Sequence, residues 1–424
     1  MTKDSVLGWI LILMVGISLF LSFAIWSRIP GEQSTGNDAL EEKRVDLDAV
    51  VSPNKILVHL GNASHTLLSP SSPFYDKAWN YSKRALSTMW IGGKPVPSDV
   101  KADFFEQKPG MEVIFPSPLP VSFVKRIFNI EGNEADLDNL SMSSYTLVED
   151  GDLWAYLKSS DGRYYRIDKS RAPEELSNLL KELSEANPPL FAAIPPGNVN
   201  LKISRGIYVP LLPYDLPHYG IKHEKVIGDR LAAKFFDDFS VARKIEERDG
   251  AVIYTDGQRA LRIYHDGALE YSFPGVKAQK KSVSFYDALK TAADFISIHG
   301  GWPQGAFLSS YGISDQGVGG TSFDFRFGIR INGYPVVSDK EYLSITVEGN
   351  QVKSYYRNIV MADKPGKVSE MISPVKAMDI AVSIKDIKSM DDIYPAYVME
   401  KGEYVPVWVV RSKGSDIIIP SLSE

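Results

Sequence analysis

The longest apolar stretch of the chain lies at its start, in residues 6–26 (VLGWILILMVGISLFLSFAIW), and contains no charge. At a rise of ~1.5 Å per residue, a helix of this length spans about 31 Å, close to the thickness of a bilayer's hydrocarbon core. The pattern predicts one transmembrane helix, preceded by only a short stub. Almost all of the chain therefore lies on one side of the membrane.

A cleaved signal peptide is the alternative for this stretch, because Ser22 and Ala24 resemble a small-x-small cleavage site. The apolar run is longer than the usual core of a signal peptide, and the residues before it are barely basic. Trp26 and Arg28 follow the run as an aromatic and a charged residue do at a membrane interface. An uncleaved anchor is favoured, with these two residues as its membrane-interface anchors.

The flanks and the small residues of the anchor predict its orientation and a contact face. Lys3 precedes the anchor and mostly acidic residues follow it, which places the N-terminus in the cytoplasm and the bulk outside the cell. Gly16, Ser18 and Ser22 are small residues in a bulky run. Because helices in lipid associate by close packing over small residues, they form a candidate partner-helix interface, with an ordinary anchor as the alternative.

Beyond the anchor, residues 29–52 are polar and predict a linker to a folded body. Apolar patterning predicts strands at 55–60 and 111–115, with a break at the PSPLP sequence that follows. The 3.6-residue period predicts helices at 73–90, 121–128, 173–186, 224–236, 285–299 and 374–388. The last apolar runs (IYPAYVME, YVPVWVVRS and SDIIIP) predict strands.

Tight-turn dipeptides between apolar runs dominate the rest of the body. Both residues of Asp-Gly tolerate a positive φ, so the pair between such runs predicts a β-hairpin. Five Asp-Gly pairs and two related pairs occur, at 150–151, 161–162, 249–250, 256–257, 266–267, 332–333 and 349–350. Helices packed on antiparallel hairpin sheets predict an α+β fold. The predicted divisions are 1–28 (cytoplasmic stub and anchor), 29–52 (linker), 53–190 (N-terminal ectodomain), 191–280 (central domain) and 281–424 (C-terminal domain).

Composition narrows the function of this 424-residue chain. Its net charge is −6 and it has no cysteine, which argues against a nucleic-acid partner and excludes disulfides and thiolate metal sites. Six histidines show no metal-binding spacing, and His218 and His223 are interpreted as loop residues. No nucleophile or phosphate-binding motif occurs. The sequence predicts a non-enzymatic protein without metal or cofactor.

Several blocks together resemble the YycH family. They are the anchor LILMVGISLFLSFAIW, then GMEVIFPSPLP, IYTDGQRALRIYHDGALEYSFP, and INGYPVV, VEGNQVKSYYRN and YVPVWVV near the end. The family comprises accessory proteins of the WalK/WalR (YycG/YycF) two-component system of low-GC Gram-positive bacteria. The resemblance implies three extracytoplasmic domains on one span, the last two alike and similar to a sister protein, YycI.

The resemblance further implies a complex with a YycI-like sister protein on the sensor histidine kinase WalK (YycG), which controls cell-wall metabolism. Coupling through transmembrane helices is implied, so residues 6–26 are the segment expected to act. Two rival functions stay open: a module that binds envelope polymer or peptide, with the helix as a simple tether, and a cell-wall hydrolase with an acidic pair. The predicted linker, rich in Gly and Ser, would transmit torque from the ectodomain poorly.

Overall fold

The computed structural model describes residues 44–131, 135–170, 174–195, 201–213, 215–223, 228–275, 283–315, 320–385 and 387–421. All of them belong to one compact unit, Glu41–Glu424. The fold is α+β, as predicted, and all pairings within its three large sheets are antiparallel. In the described part of the chain, no helix is both long and apolar enough to cross a membrane. The predicted span at 6–26 lies outside it.

The N-terminal part (residues 44–185) combines a large sheet with short and long helices. Its helices are α1 (Leu47–Val50), α2 (Tyr75–Gly92), α3 (Asp103–Glu106), α4 (Val121–Ile127), α5 (Ala135–Asp138) and α6 (Glu174–Glu185). Its strands are β1 (Lys55–Gly61), β2 (Ser64–Leu68), β3 (Val96–Ser98), β4 (Gly110–Pro120), β5 (Ser141–Asp150), β6 (Asp152–Ser159) and β7 (Tyr164–Ser170). They pair in the order β2-β1-β4-β5-β6-β7-β3.

A joining segment (residues 188–213) leads to the C-terminal part. It contains three short strands, β8 (Leu190–Ala193), β9 (Lys202–Ile203) and β10 (Tyr208–Pro210). β8 pairs with β2, and β10 pairs with β8, so the joining segment extends the N-terminal sheet to nine strands. The joining segment between the N-terminal and C-terminal parts is thus paired to the edge of a sheet and is not a free tether.

The C-terminal part (residues 215–421) builds two sheets around the helices α7 (Gly228–Ala232), α8 (Phe285–Ile298) and α9 (Pro374–Lys385). The strands of one sheet are β12 (Arg243–Glu246), β13 (Val252–Thr255), β14 (Ala260–Ile263), β15 (Leu269–Ser272), β16 (Ala306–Asp315), β17 (Thr321–Ile331), β18 (Tyr334–Pro335), β19 (Leu343–Glu348) and β20 (Gln351–Arg357). They pair in the order β12-β13-β14-β15-β20-β19-β17-β16, with β18 beside β17. The strands of the other sheet are β11 (Asp215–His223), β21 (Val360–Glu370), β23 (Asp392–Glu400), β24 (Glu403–Ser412) and β25 (Ser415–Pro420). They pair in the order β21-β11-β24-β23, with β25 beside β24. A last strand, β22 (Ser389–Met390), pairs in parallel with β9.

All seven predicted tight turns join antiparallel strands, but their backbone geometries differ. In the Asp-Gly turns only glycine has a positive φ, as at Gly257, while the Asp256 carboxylate accepts hydrogen bonds from the next backbone N–H groups. This is an Asx turn, in which the side chain replaces the second left-handed residue. Asn332 and Gly333 instead both have a positive φ (47° and 80°), as predicted.

The long predicted helices form within a few residues of their predicted bounds, because their apolar faces find a sheet to cover. On α8, Phe285, Ala288, Leu289 and Ala292 are buried, and Ser284 caps the helix by accepting a hydrogen bond from the backbone N–H of Asp287. The predicted helix at 224–236 is shorter: α7 is followed by a 3₁₀ turn, Ala233–Phe235. Residues 224–227 lie outside the described residues.

The predicted break at PSPLP is wrong, since β4 continues through it to Pro120. The pairing of β4 with β5 shifts register between Ile114 and Leu119, so Pro116 and Pro118 fall where β4 does not pair regularly with β5, while Pro120 pairs with Ser141 at the end of the strand. Proline is tolerated at such a bulge because no ladder hydrogen bond from its nitrogen is needed. Tyr311 of β16 donates a hydrogen bond to the Pro118 carbonyl (2.9 Å), so this stretch contacts the C-terminal part.

Candidate functional site

The predicted partner-helix residues Gly16, Ser18 and Ser22 and the predicted interface anchors Trp26 and Arg28 lie outside the described residues. The first described residues behind the predicted span are 44–54, called the junction below. Residues 44–52 belong to the predicted linker and residues 53–54 to the predicted N-terminal ectodomain. Their contacts decide how the span connects to the folded body.

The junction is a packed segment rather than a free tether. Val50 and Val51 are almost completely buried (0% and 1% exposed). α1 is a four-residue helix, too short to persist without tertiary contacts. It packs against α8 and β16 of the C-terminal part. On its other side, Asp48 accepts a hydrogen bond from Lys83 of α2 at 2.5 Å.

Arg330 of β17 fixes the junction from the C-terminal part. Its guanidinium donates to the Ser52 hydroxyl (3.0 Å), the Ser52 carbonyl (3.2 Å) and the Asn54 side-chain oxygen (2.8 Å). It also stacks 3.7 Å from the centre of the Phe307 ring. Burial lowers the pKa of Arg330 to about 10, so the group stays charged at neutral pH. A planar fork of five donors suits this set of neutral acceptors better than an ammonium would.

The N-terminal part holds the same residues from the other side. The Tyr75 hydroxyl donates to the Pro53 carbonyl at 2.6 Å, and the Asn54 backbone N–H donates to the Ile114 carbonyl at 3.1 Å. Burial raises the pKa of the Tyr75 hydroxyl, which therefore remains a donor. Because both parts bind residues 52–54, any shift between them must strain or break contacts of the junction.

Further contacts join the two parts beside the junction. Aromatic and charged side chains of α4 meet α8, and a lysine of β1 meets an aspartate of β23. The contacts are Phe123 with Phe285 (5.0 Å between ring centroids), Arg126 with Tyr286 (3.6 Å to the ring) and with Asp287 (3.3 Å), and Lys55 with Asp392 (3.1 Å). These contacts combine apolar packing with one exposed and one partly buried ion pair.

The joining segment makes a second connection, built on two buried histidines of the β1–β2 hairpin. The Nδ1 atoms of His59 and His65 lie 2.9 Å apart, in hydrogen-bonding contact, and Tyr208 of β10 packs its ring against both. Burial and the neighbouring His65 lower the pKa of His59 to about 3. Burial also lowers the pKa of His65. We call His59, His65 and Tyr208 the histidine joint.

The other histidines singled out by the sequence do not form a metal centre. His218 and His223 lie on β11, not in a loop as predicted, and His218 contacts the Ser369 hydroxyl at 2.7 Å. Within the described residues, no group of three or more His, Cys, Asp or Glu side chains is arranged to hold a metal ion.

Sequence reasoning missed both Arg330 and the histidine joint. Arg330 lies 278 positions from Ser52, so no local pattern connects them. The histidine pair carried no simple signal either, because His59 lies three positions before the Asn62-Ala63 turn and His65 lies two positions after it. A register shift between His59 and Gly61 is what brings the two histidines opposite each other.

Comparison with known proteins identifies the chain's relatives. Residues 5–188 match the family profile described as YycH protein, N-terminal domain, and residues 204–420 match YycH protein, C-terminal domain. The search of curated proteins returned no match.

Two solved structures align with the chain. The crystal structure of YycH from Bacillus subtilis aligns with a TM-score of 0.66 at 14% identity, over 90% of this chain and 98% of that chain. An uncharacterized protein from Eubacterium rectale aligns with a TM-score of 0.35 at 12% identity, over 54% of this chain and 89% of that one. The two family profiles together span most of the sequence, and this chain belongs to the YycH family.

Proposed function

We propose that this protein is a non-enzymatic, extracytoplasmic regulator of a WalK-type (YycG-type) sensor histidine kinase that controls cell-wall metabolism. It acts as a single-pass membrane protein, through contacts of its transmembrane helix at 6–26. Its partners are the kinase and a YycI-like sister protein. Membership of the YycH family supports this proposal, and the net charge of −6 argues against a nucleic-acid partner.

The observation that carries the mechanism is that both parts of the ectodomain bind the junction. A freely jointed linker ending at residue 52 would pass no force from the ectodomain to the membrane. Here the chain is fixed from Asp46 onward by α1, Lys83 and Arg330. The segment that leads to the span thus starts from a base whose position depends on both parts.

The energy needed at the membrane is modest. A helix that binds one state of the kinase's transmembrane bundle more tightly than the other shifts the kinase equilibrium by that difference in affinity. A difference of ~1–3 kcal/mol changes the ratio of states by roughly 5–150-fold. Close packing over Gly16, Ser18 and Ser22 is the proposed source of this difference, with Trp26 and Arg28 holding the helix at the interface.

The test is a helix exchange in the native host, with kinase-dependent gene expression as the readout. Residues 6–26 are replaced by an unrelated single span of the same length and orientation, and surface display of the ectodomain is checked. A narrower variant carries Gly16→Leu, Ser18→Leu and Ser22→Leu, since bulky residues keep helices apart. The matched control carries Leu13→Ile, Leu19→Ile and Leu21→Ile.

The proposal predicts that the exchange and the Leu variant abolish regulation, that the Ile variant retains it, and that the span without residues 55–424 keeps a part of it. Normal regulation by the exchanged protein would contradict the proposal. The ectodomain would then be the active element, as a module that binds envelope polymer or peptide.

A further inference from the structure

Two histidine rings are buried against each other at the edge where the joining segment meets the N-terminal sheet. His59 on β1 is 1% exposed and His65 on β2 is 3% exposed. The rings meet edge to face, with centroids 4.9 Å apart. The Tyr208 ring packs 5.0 Å from His65 and 6.0 Å from His59, and so closes the pair from β10.

At this distance the two Nδ1 atoms share a single proton. One Nδ1 carries the proton and donates, and the other must be bare to accept. His59 Nε2 is buried and has no hydrogen-bond partner within the described residues. An unpaired N–H there would cost more than a bare nitrogen against apolar neighbours, so His59 is assigned as the Nδ1–H donor and His65 as the acceptor.

A further proton has no acceptable place in the closed arrangement. At His59 it would occupy Nε2, which would become a buried cationic N–H without an acceptor. At His65 it would occupy Nδ1, and the contact would then persist only if the His59 proton moved to Nε2, where it again has no acceptor. In both cases the closed joint disfavours the charged form.

The groups that face the pair do not compensate a positive charge by direct contact. Glu112 on β4 accepts a hydrogen bond from the Ser144 hydroxyl at 2.7 Å. Glu106 on α3 acts on the Tyr208 hydroxyl, and burial raises the pKa of Glu106 itself. Asp103 and Arg205, which act on Glu106, are paired with each other at 2.5 Å. On the β8 side, Phe191 pairs with His65 and is apolar.

β10 connects the pair to the core of the C-terminal part. Its side chains alternate, so Tyr208 faces the histidines while Ile207 and Val209 belong to the buried cluster around Trp408. The histidine pair therefore lies under a strand whose opposite face is part of the other half of the molecule.

We propose that the histidine joint is a proton-sensitive contact between the two parts of the ectodomain. Proton uptake by the His59–His65 pair separates the rings and releases β8 and β10 from β2. This follows from the geometry of the joint and holds whether or not the protein regulates a kinase.

The direction of the pH dependence follows from proton linkage. In the opened joint a histidine regains a pKa near 6.5, whereas in the closed joint burial holds the pKa of His59 at about 3. The open state therefore binds more protons, and closure weakens as pH falls below about 6.5. Relative to pH 7.5, one histidine shifts the equilibrium toward opening about 4-fold at pH 6.0 and about 30-fold at pH 5.0.

Hydrogen exchange of the full chain in lipid nanodiscs tests this proposal. Protection factors, corrected for the intrinsic rate at each pH, are measured at pH 7.5, 6.0 and 5.0 for Leu190–Ala193 and Ser64–Leu68. Leu343–Glu348, inside the large C-terminal sheet, serves as the internal reference. The test variant is His59→Asn with His65→Asn, because an asparagine amide places its polar atoms near Nδ1 and does not titrate. The control is His265→Asn, at an exposed turn position.

The expected result is a protection loss of about 4-fold and about 30-fold in the wild type and the control, confined to the joint, and no such loss in the double variant. Unchanged wild-type protection at pH 5.0, or an equal loss in the double variant, would overturn the proposal. If the double variant does not fold, ¹⁵N-histidine NMR of the wild type decides. Titration of either ring near pH 6.5 while β8 stays protected would contradict a closed neutral pair.

Discussion

The two connections between the N-terminal and C-terminal parts use opposite chemistry. At the junction, Arg330 is a partly buried cation whose hydrogen bonds to Ser52 and Asn54 end on neutral acceptors. At the histidine joint, His59 and His65 are buried as neutral rings, and their contact excludes a further proton. A cation with a pKa near 10 does not change its charge in mild acid, whereas an imidazole does once it is released.

The two parts are therefore held together at one place independently of pH and at another place only while the histidine pair is neutral. The permanent connection lies where the chain leads to the predicted span. The conditional one lies in the joining segment. Acid should therefore loosen the joining segment while the base of the span stays fixed, and the following changes test that separation.

The largest expected effect comes from Arg330→Ala. The substitution leaves the Ser52 carbonyl and the Asn54 side chain without their donor in a partly buried site, and it removes the group stacked on Phe307. We expect the free energy of unfolding to fall by about 3 kcal/mol, measured by urea denaturation.

The matched control is Arg326→Ala on the same strand, whose guanidinium forms an exposed pair with Glu341. Its loss should be about 0.5 kcal/mol. Equal losses for the two arginines would contradict the special role of Arg330.

Gly333→Ala should have the next largest effect. A Cβ at Gly333 would lie 2.7 Å from the Ser71 backbone nitrogen in the N-terminal part, and the residue has φ of +80°. Gly402, at the same place in the Lys401-Gly402 turn, has φ of +84° and nothing within 4 Å of its Cβ. Because both pay the same backbone penalty, we expect Gly333→Ala to cost about 2 kcal/mol more than Gly402→Ala. A smaller difference between the denaturation midpoints of the two variants would mean that the backbone around Ser71 moves to accommodate the added methyl group.

The pH dependence of stability separates the two connections most clearly. Since the folded pKa of His59 is depressed, its contribution is complete above about pH 6.5 and is lost progressively as pH falls toward 3. Between pH 7.5 and 5.0 we expect a loss of about 2 kcal/mol from His59 alone. The loss should persist in Arg330→Ala and disappear in the double Asn variant of the histidines. Disappearance in the arginine variant would show that the connections are not independent.

The smallest expected effect concerns Asp392→Asn, which removes the partner of Lys55 between β1 and β23. A partly exposed ion pair contributes about 0.5–1 kcal/mol and weakens with added salt. The control is Asp294→Asn, which breaks the exposed Lys290–Asp294 pair within α8. Denaturation at low and high salt should show a larger, salt-dependent loss in the free energy of unfolding for Asp392→Asn than for the control. Equal losses would show that the Lys55–Asp392 pair does not stabilise the interface.

The sequence predicted what local chemistry decides. The Asp-Gly turns and α8 form where expected because a turn residue or a helical apolar face acts over a few positions. The prediction of a break at PSPLP was wrong because proline was interpreted as ending the strand, without knowledge of how the neighbouring strand pairs. Arg330 could not be assigned, since its partners are remote in sequence, and the histidines were interpreted singly although the hairpin brings them together.

The predicted linker shows the same limit. Residues 29–52 are polar, but Val50 and Val51 at the end of this stretch become buried only because α8 and β16 are present to cover them. The domain divisions at 190 and 280 stay predictions. The first lies within β8, at Leu190, which the structure joins to the N-terminal sheet.

The measurement that tests the account most directly separates the span from the junction without altering either. Six Gly and Ser residues are inserted between Lys43 and Arg44, ahead of the junction, and the same insert is placed in the Asp256-Gly257 turn as a control. Kinase-dependent gene expression is read in the native host with surface display confirmed. The account predicts that the insert before α1 impairs regulation and that the turn insert does not. Full regulation with the insert before α1 would contradict the claim that the fixed junction couples the ectodomain to the span.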